Sequence, residues 1–366
     1  MPPLDLKQLK VRPLAERRSL TTVEEILVDP ASPPPEAPPD VLAAVRECAT
    51  AIAAARSKQA GVMLIYGAHL LRNGTALLLE RMMAQKWLTH LATNGAGTIH
   101  DWEYAWLGRS TESVRDNVAD GTFGAWDETG RCIHLALLAG GLREEGYGQA
   151  LGRFIVKDGT DLPEPDTLRS AIQQEPDHPL TPARADLLVA MQTHGLNAGR
   201  HTVAHRWKQA SILSEAFRHR VPISVHPGIG YDIIANHPMF NGAVIGRAAA
   251  IDFRLFGGAV EQLDDGVVLS IGSAIMGPQV FEKALSCVNN LRLQHGRPAV
   301  AGHRIYVVDL QDGGRWDWDS GEPPKTNPAY YLRFCKSFAR MGGTLRYVQC
   351  DNRLFIHHLV HELQRL

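Results

Sequence analysis

What most constrains this chain is an alternation of short, continuously apolar runs with longer stretches of helical period. The runs at 61–66 (GVMLIY), 90–93, 221–225, 266–271, 305–310 and 344–349 have the length and composition of buried strands. Apolar spacing predicts a helix over 41–52 with Asp40 as its N-cap, and further helices near 74–87, 203–217, 241–257, 277–294, 328–341 and 352–365. A strand that is apolar at every position needs cover on both faces. The pattern therefore predicts an α/β fold, a doubly wound, mostly parallel sheet with helices on both faces, Rossmann-like in plan. Ligands of such sheets sit at the carboxyl ends of the strands.

Residues 30–39 read PASPPPEAPP, which cannot donate a hydrogen-bond ladder and should run extended. Residues 1–40 are accordingly read as an N-terminal arm and Pro-rich connector, and 41–366 as a single α/β domain of dinucleotide-binding type. Clusters of Gly and Pro at 140–165 and 174–182 interrupt the alternation, so 120–200 is expected to be a helical insertion.

Thirty-eight basic and 39 acidic residues leave a net charge of −1, too little to draw in nucleic acid or an anionic membrane. Five cysteines, odd in number and never paired as Cys-x-x-Cys, read as reduced core thiols, which points to the cytoplasm. No apolar run of signal-peptide length opens the chain, and no uncharged stretch approaches the ~20 residues of a membrane span.

Three glycine-rich turns follow predicted strands. The first, Thr93-Asn94-Gly95-Ala96-Gly97-Thr98, brings backbone amides within reach of a phosphate and is followed by His100-Asp101-Trp102-Glu103. The second, Gly272-Ser273-Ala274-Ile275-Met276-Gly277-Pro278, ends one strand and leads into a helix, with proline near the helix start. Two such turns in one sheet suggest a nucleotide crevice, although structural turns use the same residues. In the third, His226-Pro227-Gly228-Ile229-Gly230-Tyr231-Asp232, Asp232 could meet a cationic or hydroxylated ligand and His226 could transfer a proton, or Asp232 could simply cap the turn.

Carboxylates and indoles crowd residues 312–322, where Asp317, Trp318, Asp319 and Glu322 could hold a polyamine-like cation or form a solvated acidic loop. His201 with His205 and His357 with His361 have the i, i+4 spacing of zinc ligands, but no third ligand is evident and no metal is expected. Neither a Gly-x-Ser-x-Gly elbow nor a Walker loop is present.

Taken in order, these segments resemble deoxyhypusine synthase over roughly residues 60–115 and 215–355. The segment Ala68-His69-Leu70-Leu71-Arg72-Asn73-Gly74 is similar to a polar stretch before a helix in that family, and TNGAG at 93–97 to its Thr-Thr-x-Gly-Gly turn. GVVLSIGSAIMGPQV at 266–280 resembles its Gly-Gly-Gly-Val-Val turn, DWDSGEPP at 317–324 its acidic loop, and YVQCDNRL at 347–354 its closing strand. The resemblance implies NAD as cofactor, contacted by His69, Asn73, Thr93, Asn94, Gly95, Gly97, Gly272, Ser273 and Asp351. It implies an amine or polyamine-like substrate on Asp232, Asp317, Trp318, Asp319 and Glu322, and a homotetramer or other homo-oligomer. The family's nucleophilic lysine has its nearest counterpart in Lys336, within Phe334-Cys335-Lys336. If 328–341 is one helix, Tyr331, Phe334, Phe338 and Met341 form its buried stripe and Lys336 faces away.

Gly277-Pro278 stands where the family has its catalytic histidine, so His226 or His237 would have to transfer the proton, or the reaction differs. Three functions follow: NAD-dependent hydride transfer on an amine, with or without aminoalkyl transfer through a lysine imine; an NAD-dependent dehydrogenase or lyase acting on a small hydroxylated metabolite; or a non-catalytic binding or assembly protein.

Overall fold

The structure, a computed structural model, describes residues 3–366. Six parallel strands form the central sheet: β1 (Val62–Tyr66), β2 (His90–Asn94), β3 (Ile223–His226), β4 (Val267–Ile271), β5 (Arg304–Asp309) and β6 (Thr344–Gln349). Their spatial order is β3-β2-β1-β4-β5-β6. The chain winds outward one way from β1 and the other way from β4, so the order reverses between those two strands. That is the sheet order of dinucleotide-binding folds, and the reversal leaves a crevice where crossovers depart to opposite sides.

The all-apolar strands are buried on both faces, as expected. Every residue of β1 has no exposed surface. Val62, Leu64 and Tyr66 join one core cluster with Val267, Leu269 and Ile271, under the helices Pro39–Ser57, Ala76–Ala84 and Asn352–Leu363. Met63 and Ile65 join the other with Val268, Ile305 and Val307, under the helices Gly242–Val260, Met276–Gln294 and Arg333–Ala339. The alternation of side chains along a strand thus feeds two cores from one sheet.

Several expected elements differ for identifiable reasons. The helix near 74–87 is broken into Ala68–Arg72 and Ala76–Ala84 at Gly74, where φ is +77° and a Cβ would come within 1.7 Å of Ile26 O. The helix Pro39–Ser57 begins with Pro39 in its first turn, so Asp40 lies inside the helix and does not cap it. The stretch 328–341 is a 3-10 turn, Pro328–Tyr331, followed by the helix Arg333–Ala339. Phe334, Phe338 and Met341 are buried as the stripe requires, but Tyr331 belongs to the turn and is 69% exposed.

Within 120–200 lie the helices Asp127–Gly141, Tyr147–Val156, Pro165–Gln174 and Thr181–His194, and the strand Gly159–Leu162 pairs antiparallel with Gly199–Thr202, which follows the last two helices. The expected helix over 203–217 is shorter, Ile212–His219, because Ser211 caps it by accepting from Ser214 N at 2.9 Å. The arm lies docked on the body: Arg12 pairs with 125–127, Leu14 is fully buried, and Thr21–Thr22 pairs with Arg109–Ser110. Its Pro-rich part runs past the last helix, where His357 and His358 approach Ser32 O and Pro35 O at 2.9 and 2.7 Å. Among the described residues no helix is long and apolar enough to cross a membrane.

Candidate functional site

At the reversal between β1 and β4 the two backbones nearly touch. A Cβ on Gly67, just past β1, would stand 2.2 Å from Gly272 O, just past β4. Gly272 turns the chain away with φ +60°, a conformation open to glycine, and Asn352 Nδ2 fills the space beside it. Above this seam opens a cavity of about 390 Å³ lined by residues that follow five of the six strands: His69 after β1, Asn94 ending β2, Gly272 to Met276 after β4, Asp309 and Leu310 at β5, and Asp351 and Asn352 after β6. His69, Asn73, Asn94, Gly272, Ser273 and Asp351, six of the residues expected to meet a cofactor, line this one space.

The chemistry of the lining is graded. On one side the helix Met276–Gln294 starts without a side-chain cap on its first residue; Ser273 Oγ accepts from Gly277 N at 3.1 Å, and Pro278 has no N–H. Backbone amides at 274–276 therefore stand at the positive end of a 19-residue helix. On the other side are two carboxylates, Asp309 and Asp351, the latter also capping the helix Asn352–Leu363 through Leu354 N at 3.0 Å. Ile275 and Leu310 leave 74% and 68% of their surface exposed at the rim, an apolar edge for a flat group.

The remaining expected cofactor residues lie behind this space. Thr93 is fully buried and donates to Tyr66 O at 3.1 Å, and a Cβ on Gly97 would strike Thr93 Oγ1 at 2.2 Å. A Cβ on Gly95 would strike the Asp232 carboxylate at 2.2 Å. The glycines of TNGAG let the helix Gly95–Leu107 approach β2 and Asp232, and the helix start is already occupied: Asn94 Oδ1 accepts from Gly97 N at 2.9 Å and Asp232 accepts from Ala96 N. A phosphate at that turn would meet a carboxylate, so of the two glycine turns only the second leaves its amides open.

Helix Ala68–Arg72 and the residues 94–96 divide this crevice from a second cavity of about 190 Å³. Helix residue His69 faces the first, while Arg72 faces the second. Around the second cavity stand Arg17, Arg72, His100, Glu103, Glu112 and Asp232, an unusually dense set of ionisable groups. Arg17, delivered by the arm, meets Glu103 in a two-pronged pair at 2.8 and 2.8 Å, with Arg17 4% and Glu103 0% exposed. Burial works to raise the Glu103 pKa, but the Arg17 charge and its hydrogen bonds hold it below the usual carboxylate range. Ser110 Oγ donates to Glu103 and meets His100 Nδ1 at 2.8 Å, so the imidazole is held through a relay. Burial lowers the His100 pKa to about 4; Glu103 opposes the shift, Arg72 and Arg17 reinforce it, and the ring is neutral at pH 7.

Asp232 is 3% exposed, accepts from Gly228 N at 2.7 Å, and is pushed by burial to about 6 against those backbone donors. Glu112 accepts from Asn117, Gly124 N and Trp126 Nε1 at 2.5, 3.2 and 2.9 Å. Arg72 makes no ion pair and no side-chain hydrogen bond among the described residues, and its Nε is buried without a partner. A stranded buried donor costs about 1–3 kcal/mol, and among the residues lining this cavity only Arg72 carries one, as a group awaiting an acceptor.

The other expected site residues lie elsewhere. His226 ends edge strand β3, with Nε2 3.2 Å from Ser224 Oγ and its ring edge-on to Phe256. His237 is buried, stacked on His134 at 5.8 Å and 3.6 Å from Asp127, against Gly130. Neither lines either cavity, so neither is placed to exchange a proton with a ligand there. Lys336 also lines neither: its Nζ sits 3.9 Å over the Tyr330 ring and 3.6 Å from Glu322. Glu322 is held by Arg340 as well, Asp317 caps its own turn by accepting from Asp319 N, and Trp318 is buried in the second core. Of the loop's charged residues only Glu322 forms an ion pair among the described residues; Asp317 and Asp319 are exposed, and none of the loop's four expected substrate residues lines either cavity.

Arg72, His100, Arg17 and Glu112 were not among the expected site residues. His100 stood beside the first glycine turn and Arg72 inside the segment 68–74, but what distinguishes the first is its contact with Ser110 and what distinguishes the second is the lack of any partner among the described residues, while Arg17 meets Glu103 86 residues away. Glu80, Glu215 and His219 place three possible metal-ligand atoms together, yet Arg218 Nη1 already binds the Glu215 carboxylate at 3.0 and 3.2 Å.

No family model matches the chain, and no curated protein does. Among solved structures the chain is similar to unliganded AgrE, at 13% identity and TM-score 0.44 over 90% of this chain and 34% of that one. AgrE has also been solved with ornithine and NAD+, at the same identity and score. It is similar as well to a LOR/SDH protein from Methanococcus maripaludis S2, at 13% identity and TM-score 0.42 over 93% and 73% of the two chains. The chain spans about a third of the length of AgrE, and a likeness at this level assigns it neither ligand nor reaction.

Proposed function

We propose that this protein is an NAD-dependent enzyme acting on a small amine, with the dinucleotide along the crevice between β1 and β4 and the amine in the adjoining cavity. The observation that carries the reading is the convergence of 69, 73, 94, 272, 273 and 351 on one space at the strand-order reversal. The residues present suit such a ligand. Amides at 274–276 suit a pyrophosphate, Asp309 and Asp351 suit ribose hydroxyls, and Leu310 and Ile275 suit the face of a base. The turn after β1 carries only Gly67, and that glycine is used against Gly272, so the phosphates belong over the turn after β4. Bound there, the nicotinamide supplies a hydride acceptor.

The protein's own groups then bind and orient. Asp232 and Glu112 attract an ammonium, and His100, neutral and backed by Ser110 and Glu103, takes the proton that the substrate nitrogen or oxygen loses as its carbon gives up hydride. The carboxylates of Asp232 and Glu112 beside the crevice support the amine class. The position of Lys336 outside both cavities favours oxidation without a lysine adduct; borohydride trapping after incubation with spermidine and NAD is expected to leave Lys336 unmodified, and an adduct there would restore aminoalkyl transfer.

Titration calorimetry with NAD tests the first step. Wild-type protein is expected to bind, and absence of heat at millimolar NAD removes the reading. Ser273→Asp places a carboxylate at the helix start, which favours the helix but repels phosphate. Its melting temperature is expected to hold or rise while NAD affinity falls at least about tenfold. Unchanged affinity would mean that phosphates do not sit over 272–276.

A further inference from the structure

The second cavity contains one cation without a counter-ion and two carboxylates without one. Arg17 and Glu103 satisfy each other, and His100 is neutral. Glu112 and Asp232 accept only from uncharged donors, and Arg72 is bound to nothing among the described residues. A guanidinium with a buried, unpartnered Nε is a fork shaped for a carboxylate, and the flanking carboxylates disfavour a doubly charged phosphate.

We infer that this cavity binds a zwitterion, an amino acid bearing a second amine, with its carboxylate on Arg72 and its ammonium groups toward Asp232 and Glu112. The inference rests on the NAD-dependent amine reading for the reaction, and it narrows the substrate from amines in general to amines that carry a carboxylate. It also gives a role to the wall between the cavities: Arg72 anchors the substrate from the same short helix whose His69 lines the cofactor crevice, so anchored carbon and bound cofactor are held from one element.

The test uses a matched pair of probes, L-lysine and 1,5-diaminopentane, which differ only in the carboxylate, together with inorganic phosphate and NAD, each titrated into the full chain. L-lysine is expected to bind at least about tenfold more tightly than the diamine. Arg72→Met is expected to erase that difference while leaving diamine and NAD affinities within about twofold, and Arg72→Lys, which keeps the charge but loses the fork, to fall between. If Arg72→Met does not fold, Arg72→Lys alone still has to weaken L-lysine relative to the diamine. Equal binding of the two probes by the wild type, no binding of either, or L-lysine binding indifferent to Arg72 overturns the inference. Arg72-dependent loss of NAD or phosphate binding also overturns it, because it assigns the fork to the cofactor. If NAD fails to bind while the Arg72-dependent preference for L-lysine persists, the reading of the crevice falls and the zwitterion site stands.

Discussion

An Arg17→Met variant is expected to lose about 3–5 kcal/mol of folding stability, the cost of leaving one member of a buried pair uncompensated. Arg17 and Glu103 side chains are 2% and 0% exposed, so neither can turn to water when its partner goes. Glu103 also accepts from Thr129 Oγ1 at 2.9 Å and from Ser110, so it cannot move without breaking other bonds. The sign with pH follows from the direction of its shift. A carboxyl held below its unfolded value contributes stability above that value, and the contribution is lost as pH falls through the folded one. Arg17→Met should therefore hurt most at neutral pH and least in acid. Adding Glu103→Gln removes the stranded charge but keeps an acceptor oxygen, and should recover about half of the loss or more. Urea denaturation of the two variants measures this. A single-variant loss below about 1 kcal/mol would mean that water or another cation compensates Glu103, and that the arm does not fix the wall of the second cavity.

That pair also marks where the sequence stops being readable. β1 was legible because burial on both faces leaves a continuous apolar run, VMLIY; β6, TLRYVQ, matches its expected bounds although it is an edge strand in which only Leu345 and Val348 are buried. The turn at 272–273 was legible for the same reason as β1, since it follows a strand end, whereas Asp351 entered only through the deoxyhypusine-synthase resemblance. Thr93, Gly95 and Gly97 look alike in sequence but differ in space, because Asp232, more than 130 residues on, occupies the helix start they lead to. Glycine letters record that something comes close, not whether it is a ligand or a neighbouring carboxylate. Arg72 was hidden for the opposite reason. It is distinguished by lacking a partner, and an absence of partners has no sequence signature. Tyr331 was misplaced because a helical period was extended through a 3-10 turn, which advances about 120° per residue and rotates the stripe.

Between about pH 4 and pH 7 the stability that Asp252 contributes should fall as pH rises, so Asp252→Asn should gain on the wild type across that window. Asp252 is fully buried on the helix Gly242–Val260, where Oδ2 accepts from Gly148 N at 3.0 Å and Val225 N at 2.8 Å and Oδ1 has no partner. Burial raises its pKa to about 7, with the backbone N–H groups of Gly148, Val225 and Tyr147 pulling the other way. The unfolded carboxyl ionises near its ordinary value of about 4. Across that window Asp252 holds in the native state a proton that it releases on unfolding, so its own contribution has a negative slope, and a shift of this size corresponds to an order of 4 kcal/mol at its upper end. Asparagine supplies the same acceptor oxygen to Gly148 and Val225 without any charge to bury. At pH 8 the variant should exceed the wild type by a few kcal/mol, and at pH 4 the two should agree within about 1 kcal/mol. Asp101, also raised to about 7 by burial, keeps a residual slope in the variant. Parallel stability curves for wild type and Asp252→Asn would show that Asp252 ionises normally in the folded chain. Water would then have to reach the joint where Gly148, β3 and the helix Gly242–Val260 meet.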